Sequence, residues 1–265
     1  VAANVSISKL FMAGIVPGLM LGASLWITWW WLARREDVPV PPRKTRAEVA
    51  VAFKDATLAL VLPVIVVVGL KFGVFTPTEA AVVAAVYALL ISTLVYGELK
   101  VSHLYGLFLS AAQTTAVVMF LVAAAMVSSW LITVAQLPAM VVGLLEPLLD
   151  NPKLLMAAMM VLVMIVGTAM DMTPTILILT PVLMPIVKAA GIDPIYFGVL
   201  FIINNAIGLI TPPVGTVLNT VAGVGKVSMD EVTRGVMPFM LAQFALLFLM
   251  VLFPALVMVP ARWFY

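Results

Sequence analysis

Two stretches of this chain combine strongly apolar sequence with residues that interrupt a helix. The first runs from Ile202 to Gly223, and its middle carries Gly208, Thr211, Pro212, Pro213 and Gly215. A helix cannot continue undisturbed through these residues. In hydrocarbon, a break is tolerated where its backbone is buried in protein or lines a polar cavity, and secondary transporters use such breaks as binding sites. The alternative is a proline kink whose backbone groups are satisfied by neighbouring helices.

The second stretch is GTAMDMTP, from Gly167 to Pro174. It is the junction of two apolar arms, residues 153–171 and 174–190, and overlaps the end of the first arm and the start of the second. It contains glycine, threonine and aspartate, which supply the oxygen ligands that sodium and similar hard ions prefer. It has no Lys or Arg to mark a cytoplasmic loop, which favours a re-entrant hairpin over a plain turn between two full spans. Two roles stay open for Asp171: capping Thr173 and its neighbours, or contacting an ion directly.

The composition is that of an integral membrane protein. Of the 265 residues, 64% are hydrophobic and 10% are charged, against about 45–50% and about 25% in soluble domains. Apolar runs of about 20 residues recur along the chain and predict an all-α polytopic fold in the lipid bilayer rather than a β-barrel. The expected location is the inner (cytoplasmic) membrane of a bacterium, with several membrane passes.

Several classes of function are disfavoured by the charged and reactive residues. A net charge of +2 gives no sign of nucleic-acid binding, and the absence of cysteine removes disulfides and cysteine metal sites. The single histidine, His103, cannot form a histidine metal site or a nucleophile–base pair. No paired acid or Ser–His arrangement is evident in the spans, so we do not expect an enzyme.

The apolar runs and the charged residues between them divide the chain into seven segments. In order, we expect a scaffold transmembrane helix at 1–33, a cytoplasmic linker or interfacial segment at 34–55, two transmembrane helices at 56–103, a long or interrupted helix and an outer interfacial helix at 104–151, a re-entrant hairpin at 152–192, a broken transmembrane helix at 193–225 and a last scaffold helix at 226–265.

The orientation follows from the basic residues. The uncharged run from Leu10 to Ala33 ends in tryptophans followed by Arg34 and Arg35, which is typical of an anchor at the membrane surface. The linker after it is rich in Arg, Lys and Pro and is expected in the cytoplasm. With this orientation, nine of the 14 basic residues lie inside and five outside.

Other polar residues near the apolar runs have structural explanations. Glu79 falls in the first turn of a helix that Thr76 or Thr78 can cap, and the helix dipole favours a carboxylate there. The run from Leu104 to Val134 is longer than one span requires, which suggests a tilted or interrupted helix whose hydroxyls bond between helices. The segment from Gln136 to Asp150 is expected to lie at the outer interface.

The two ends of the chain resemble each other. The sequence from Val5 to Leu21 parallels the sequence from Val227 to Ala242, with a one-residue gap before the proline. Because the second copy follows the broken helix directly, we expect an earlier broken helix upstream of Val1. This chain would then be the second half of an inverted-repeat protein.

Three separated motifs carry a resemblance to a known family. GVFTPTEAA at 73–81, GTAMDMTPTILILTPVLMPI at 167–186 and AIGLITPPVG at 206–215 occur in the order found in the large membrane subunit of TRAP (tripartite ATP-independent periplasmic) transporters. The chain resembles the C-terminal portion of that subunit over nearly its whole length. The resemblance implies an elevator-type fold of two inverted repeats, each with a re-entrant hairpin and a broken helix.

The resemblance also implies a function, partners and a site. It implies sodium-driven uptake of a carboxylate, such as a dicarboxylate, a keto acid or sialic acid, together with a periplasmic substrate-binding protein and a small membrane subunit. The Na⁺ ligands would be backbone oxygens of Gly167, Gly208, Thr211 and Val214. Residues lining the site or contacting substrate would be Thr168, Asp171, Thr173, Asn205, Pro212 and Pro213. The family's N-terminal repeat, with the other sodium site, is missing from this sequence.

A channel-like or structural membrane subunit is the competing interpretation. In that case the helix breaks line a pore or pack helices, and flux depends neither on a binding protein nor on sodium.

Overall fold

The computed structural model describes residues 3, 5–35, 42–136, 148–212 and 215–263, and every regular element in these ranges is helical. The helices are α1 (Ile7–Ala13), α2 (Ile15–Ala33), α3 (Arg46–Lys71), α4 (Pro77–Leu90), α5 (Val101–Val134), α6 (Pro152–Gly167), α7 (Met172–Ala189), α8 (Pro194–Gly208), α9 (Thr216–Gly225), α10 (Met229–Leu252) and α11 (Ala255–Ala261), with a π-helical turn at Ile91–Val95. Most of the expected outer interfacial helix, together with Pro213 and Val214, lies outside the described residues.

Six stretches in the described ranges are long and apolar enough to cross a membrane. They are Ile7–Ala33, Arg46–Lys71, Pro77–Val95, Val101–Ser128, Met172–Ala189 and Met229–Leu252. α6 and α8 are apolar but shorter. The prediction of an all-α polytopic membrane protein is therefore confirmed, whereas the side of the membrane on which each loop lies stays a prediction.

The described residues form two compact units, the first within 1–35 and 117–264 and the second within 36–116. In the second unit, α3 and α4 form a hairpin. The hydroxyl of Tyr87 donates to the carbonyl oxygen of Leu58 at 2.8 Å, and the hydroxyl of Tyr96 donates to that of Asp55 at 2.9 Å. A short turn containing Gly73, at φ +67°, joins the two helices.

Two capping boxes fix where α3 and α4 begin. The hydroxyl oxygen of Thr76 accepts from the backbone N–H of Glu79, and the Glu79 carboxylate accepts from the backbone N–H of Thr76. This is the structural role expected of Glu79. Thr45 and Glu48 form the same arrangement, so α3 starts at Arg46, within the segment expected as a linker and ten residues before the expected second span.

α5 agrees with one of the two alternatives that its sequence left open. It is one unbroken helix of 34 residues, which is about 51 Å long at 1.5 Å per residue. The interruption, which was the other alternative, is absent from it. The hydroxyls of Thr114, Thr115 and Ser128 donate to carbonyl oxygens four residues earlier in the same helix, at 2.8–3.0 Å, rather than to other helices. This back-bonding satisfies each hydroxyl within the helix.

The first unit is packed around α8. Its side chains are buried around most of the helix circumference, and the rings of Phe197 and Phe201 stack at 5.3 Å. Gly198 admits the side chain of Leu10, because a Cβ at Gly198 would lie 2.8 Å from Leu10 Cδ1. The Tyr196 hydroxyl donates to the carbonyl oxygen of Met250 at 2.9 Å. α8 is therefore in contact with α1 and α10, and it also packs against α6 and α7.

The first span and the last long helix lie together in this unit. The span expected as one helix from Leu10 is divided at Gly14 into α1 and α2. α2 packs against α10, where Trp29 and Phe239 stack with their ring centres 6.5 Å apart. The two segments that resemble each other in sequence each begin a helix after a serine N-cap, Ser6 for α1 and Ser228 for α10. Their relation by inverted repeats stays a prediction.

We expect Gly69→Ala to destabilise the α3–α4 hairpin. A Cβ at Gly69 would overlap the ring of Phe75. The backbone N–H of Phe75 donates to the Gly69 carbonyl oxygen at 3.3 Å, which holds the ring in this place. Overpacking of this kind costs about 1–3 kcal/mol. Thermal unfolding of the purified full-length protein in detergent measures the loss. The control is Gly106→Ala on α5, which meets nothing within 4 Å; an equal melting temperature for both variants would contradict the packing argument.

Candidate functional site

The candidate site lies where the helix at 194–225 is interrupted. α8 ends at Gly208, and α9 begins at Thr216 after Gly215. Gly215 has φ +36°, in the left-handed region that residues with a side chain rarely adopt. Its Cβ, if present, would also lie 2.9 Å from Leu218 Cδ1 and 3.2 Å from the Leu209 carbonyl oxygen. The helix is thus interrupted between Gly208 and Thr216, whereas its passage through a membrane stays a prediction.

Backbone hydrogen bonds keep the break compact. The N–H groups of Ile210 and Thr211 donate to the carbonyl oxygens of Ile207 and Gly208, at 3.1 and 3.0 Å, in tight three-residue turns. Across the break, the Val217 N–H donates to the Leu209 carbonyl oxygen at 3.2 Å. The two half-helices are therefore tied to each other through the backbone.

The sequence GTAMDMTP forms the tip of a helical hairpin. α6 ends at Gly167 and α7 begins at Met172, with residues 168–171 between them. Asp171 is the N-cap of α7: its Oδ1 accepts from the Met172 N–H at 3.0 Å, and its carbonyl oxygen accepts from the Thr175 hydroxyl at 2.8 Å. The capping role proposed for Asp171 is observed, and it engages Met172 rather than Thr173.

The hairpin tip and the helix break meet at two glycines. A Cβ at Gly208 would lie only 3.0 Å from the Gly167 carbonyl oxygen and 3.1 Å from its Cα and carbonyl carbon. A Cβ at Gly167 would lie 3.6 Å from the Gly208 Cα, an ordinary contact. Both glycines are buried. The structure therefore brings together two of the four residues named as sodium ligands, with backbone against backbone.

The third of these residues, Thr211, is 8% exposed and lies in the break itself. Its hydroxyl donates to the Ile207 carbonyl oxygen at 2.8 Å. Because the hydroxyl proton is used in this hydrogen bond, the hydroxyl oxygen keeps its lone pairs, which can accept a hydrogen bond or contact a cation. The fourth, Val214, lies outside the described residues, as does Pro213.

The remaining predicted site residues are distributed between tip and break. The Thr168 hydroxyl donates to the Ile165 carbonyl oxygen at 2.8 Å, so it closes the end of α6. Thr173 is half-buried in the first turn of α7, and Pro212 is half-buried in the break. The Asn205 amide is turned into its own helix, where Nδ2 donates to the Phe201 carbonyl oxygen at 2.8 Å.

Asn204 was not among the predicted site residues, although it stands beside Asn205 in an otherwise apolar run. It is fully buried, and its Nδ2 donates to the Met160 carbonyl oxygen on α6 at 2.6 Å. In the described part of the chain, the Oδ1 atoms of Asn204 and Asn205 are buried without a hydrogen-bond partner. The polar pair in an apolar helix was the signal in the sequence; the partner on α6 is visible only in the structure.

The site therefore offers backbone, hydroxyl and amide oxygens. Within the described ranges, no three His, Asp or Glu side chains come together to hold a metal ion. An uncharged set of hard oxygen donors fits a monovalent hard cation such as sodium.

Comparison with known proteins identifies similar sequences over nearly the whole chain. Residues 1–256 match the family described as the tripartite ATP-independent periplasmic transporter, DctM component. The chain is 55% identical over 263 residues to the 2,3-diketo-L-gulonate TRAP transporter large permease protein of Escherichia coli, covering 99% of this chain and 62% of the relative. It is 37% identical to the sialic acid TRAP transporter large permease protein of Vibrio cholerae, covering 96% of this chain and 60% of the relative.

A third relative, the C4-dicarboxylate TRAP transporter large permease protein of Pseudomonas aeruginosa, is 34% identical, covering 99% of this chain and 61% of the relative. The chain thus spans about three fifths of the length of each of these three relatives.

The two glycines at the contact predict unequal effects of alanine. Gly208→Ala places its Cβ against the rigid backbone of Gly167. We therefore expect the free energy of unfolding to fall by about 1–3 kcal/mol and the hairpin tip to be displaced. Gly167→Ala, with its 3.6 Å contact, should be tolerated and is the matched control. Thermal unfolding of both purified variants tests the asymmetry; equal losses would show that the tip and the break do not approach as described.

Proposed function

This chain belongs to the DctM family of tripartite ATP-independent periplasmic transporters, and we propose that it is part of the membrane subunit of a sodium-driven secondary transporter that imports an organic acid delivered by a periplasmic binding protein. Members of this family are transporters of the bacterial inner membrane rather than enzymes, and the apolar helices of this chain fit multi-pass insertion. The observation that carries the proposal is the contact of the hairpin tip with the helix break at Gly167 and Gly208.

The short helices support a site inside the membrane. α6 has 16 residues and α8 has 15, so they are about 24 and 22 Å long, less than the hydrocarbon thickness of about 30 Å. A hairpin arm and a half-helix of these lengths can bring their ends together within the bilayer. The backbone exposed at the break is then covered by the hairpin tip rather than by lipid.

Sodium is assigned here to the oxygen atoms at this contact. The ion would be held by the backbone oxygens of Gly167, Gly208, Thr211 and Val214. Its positive charge would stabilise the carbonyl oxygens that lie close together at the break. A bound ion would fasten tip and break together and so complete the wall on which substrate rests. Thr168, Asp171, Thr173, Asn205, Pro212 and Pro213 would line this wall.

The substrate carboxylate would be received at the N-terminal end of a half-helix. α9 begins at the break, and its N-cap, Gly215, contributes no side-chain hydrogen bond to the first turn. In the described residues the Val217 N–H of this turn donates to the Leu209 carbonyl oxygen, and the positive end of the helix dipole favours an anion at the remaining N–H groups. At α7 the equivalent position is taken by the carboxylate of Asp171. We assign the substrate carboxylate to α9 for this reason.

The relatives' names point to organic acids. They name 2,3-diketo-L-gulonate, sialic acid and C4-dicarboxylates. Because identity to the diketogulonate permease is 55%, a keto sugar acid is the first substrate to test for this chain, before a dicarboxylate or sialic acid.

The proposed transporter needs further components. They are the N-terminal repeat of the same subunit, with its own hairpin and broken helix, a small membrane subunit and the periplasmic binding protein. In an elevator movement, the hairpin and broken helix would shift against a scaffold that includes α2 and α10. The packing of these two helices through Trp29 and Phe239 supports their placement in one scaffold.

Transport by the complete system in proteoliposomes tests this function. We expect uptake of a keto sugar acid that requires the binding protein and an inward sodium gradient. Uptake without sodium would refute the coupling. Flux independent of both the binding protein and sodium would instead support the channel-like alternative.

Thr211→Val tests the role of the hydroxyl. If Oγ1 contacts the ion, the sodium concentration for half-maximal uptake should rise about tenfold, which corresponds to about 1.4 kcal/mol. The matched control is Thr115→Val on α5, since the Thr115 hydroxyl makes the same hydrogen bond to a carbonyl oxygen four residues earlier. An unchanged sodium response in Thr211→Val would leave only its backbone oxygen as a ligand.

A further inference from the structure

Asn204 links the two elements that form the site. It lies on α8, four residues before Gly208, and is 0% exposed. Its Nδ2 reaches the Met160 carbonyl oxygen at 2.6 Å and the Met160 sulfur at 3.6 Å. Met160 lies on the first arm of the hairpin, seven residues before Gly167. One buried hydrogen bond therefore connects the hairpin arm to the helix that leads into the break.

The neighbouring asparagine serves as an internal comparison. Asn205 is equally buried, but its Nδ2 donates to Phe201 on the same helix. The Asn205 amide therefore contributes nothing to the attachment of the hairpin arm, whereas the Asn204 amide does. The two adjacent residues differ in this respect because their side chains leave α8 about 100° apart.

An asparagine is a costly choice at this position if packing is its only purpose. Its Oδ1 is buried without a hydrogen-bond partner in the described residues, and such an acceptor is unfavourable in an apolar core. An apolar side chain of similar volume would avoid that cost. What the asparagine adds is a directional bond from α8 to one carbonyl oxygen of α6.

The hydrogen bond and the glycine contact together fix the register of the hairpin. The glycine contact is van der Waals packing of two backbones and tolerates sliding of one helix along the other. The bond at Met160 lies about 10 Å further down α6 and is directional. Two separated points of attachment oppose both sliding of the arm along α8 and pivoting of the arm about the tip.

We propose that Asn204 is a positioning residue of the ion site: its bond to Met160 holds the hairpin arm in register, so that the Gly167 oxygen faces the break. Asn204 does not touch the ion, and it sets ion affinity through the position of the tip. The ion-affinity part of this inference rests on the proposed sodium-coupled function, whereas the positioning of the arm does not.

The 265 residues contain no cysteine, so an introduced cysteine is the only thiol within them and can report on the arm. A cysteine replaces Val163, a fully buried residue of α6 between Met160 and the tip. The full-length subunit in proteoliposomes is treated with a water-soluble maleimide, which reacts when the arm separates from α8. The protein without the introduced cysteine gives the background, and a second reporter, Leu247→Cys on α10, where Leu247 is fully buried, registers general loosening.

Asn204→Leu removes the donor and keeps the branched shape and the number of heavy atoms of the side chain. Without sodium, we expect labelling at position 163 to become about tenfold faster and labelling at position 247 to change less than twofold. Asn204→Ala gives the same expectation and replaces the leucine variant if that variant does not fold. Unchanged labelling at position 163, or an equal increase at both positions, would overturn the positioning role.

Tyr196→Phe is the matched control, because it also removes a buried hydrogen bond from α8, to Met250. It should lower thermal stability without accelerating labelling at position 163. If Tyr196→Phe accelerates this labelling as much as Asn204→Leu does, the effect is general and the inference is wrong.

Sodium is the second readout. Sodium should slow labelling at position 163 in the parent protein, and the concentration for half-maximal protection should rise about tenfold in Asn204→Leu and less than twofold in Tyr196→Phe. Failure of sodium to protect the parent protein would count against the proposed sodium coupling, while the sodium-free labelling rates still decide the positioning role. Protection that is present and equal in all three proteins would overturn the link from Asn204 to ion affinity.

Discussion

The contact between Gly167 and Gly208 is the constraint on which the rest of the first unit depends. A broken helix exposes backbone groups that lipid cannot satisfy, so protein must cover the break. Here the end of α6 provides the cover, and it approaches so closely that a Cβ at Gly208 would lie 3.0 Å from the Gly167 carbonyl oxygen. The hairpin tip and the helix break meet only because these two backbones come so close together.

α8 is the helix that makes this contact possible. It is buried on most of its circumference, with α1 fitted against Gly198 and α10 joined through Tyr196. Packing on several sides fixes the position of the C-terminal end of α8, and therefore also the position of the break that follows it. The polar groups of the break then form a defined set of oxygen atoms inside an apolar unit, which suits recognition of a small hard ion.

Much of the fold could be predicted from local sequence. Thr76 and Glu79 form a capping box, and the glycines and prolines after residue 207 stop α8, because both effects arise within a few residues. The extents of two helices were less well predicted. α3 begins ten residues before the expected span because the Thr45–Glu48 capping box starts it in polar sequence. For α5 the sequence left an interruption open, and the structure shows one continuous helix whose Thr114 hydroxyl donates to a carbonyl oxygen of the same helix.

The sequence by itself determined where the chain must break and turn. The reason is that glycine's tolerance of a positive φ, seen at Gly215, and the missing N–H of proline are properties of single residues. Only the tertiary structure decided what those points face. Gly167 and Gly208 are 41 residues apart, and Asn204 and Met160 are 44 apart. Such pairings depend on how α6 packs along α8, which no local pattern encodes. For the same reason, adjacent asparagines that look equivalent in the sequence have different partners in the structure.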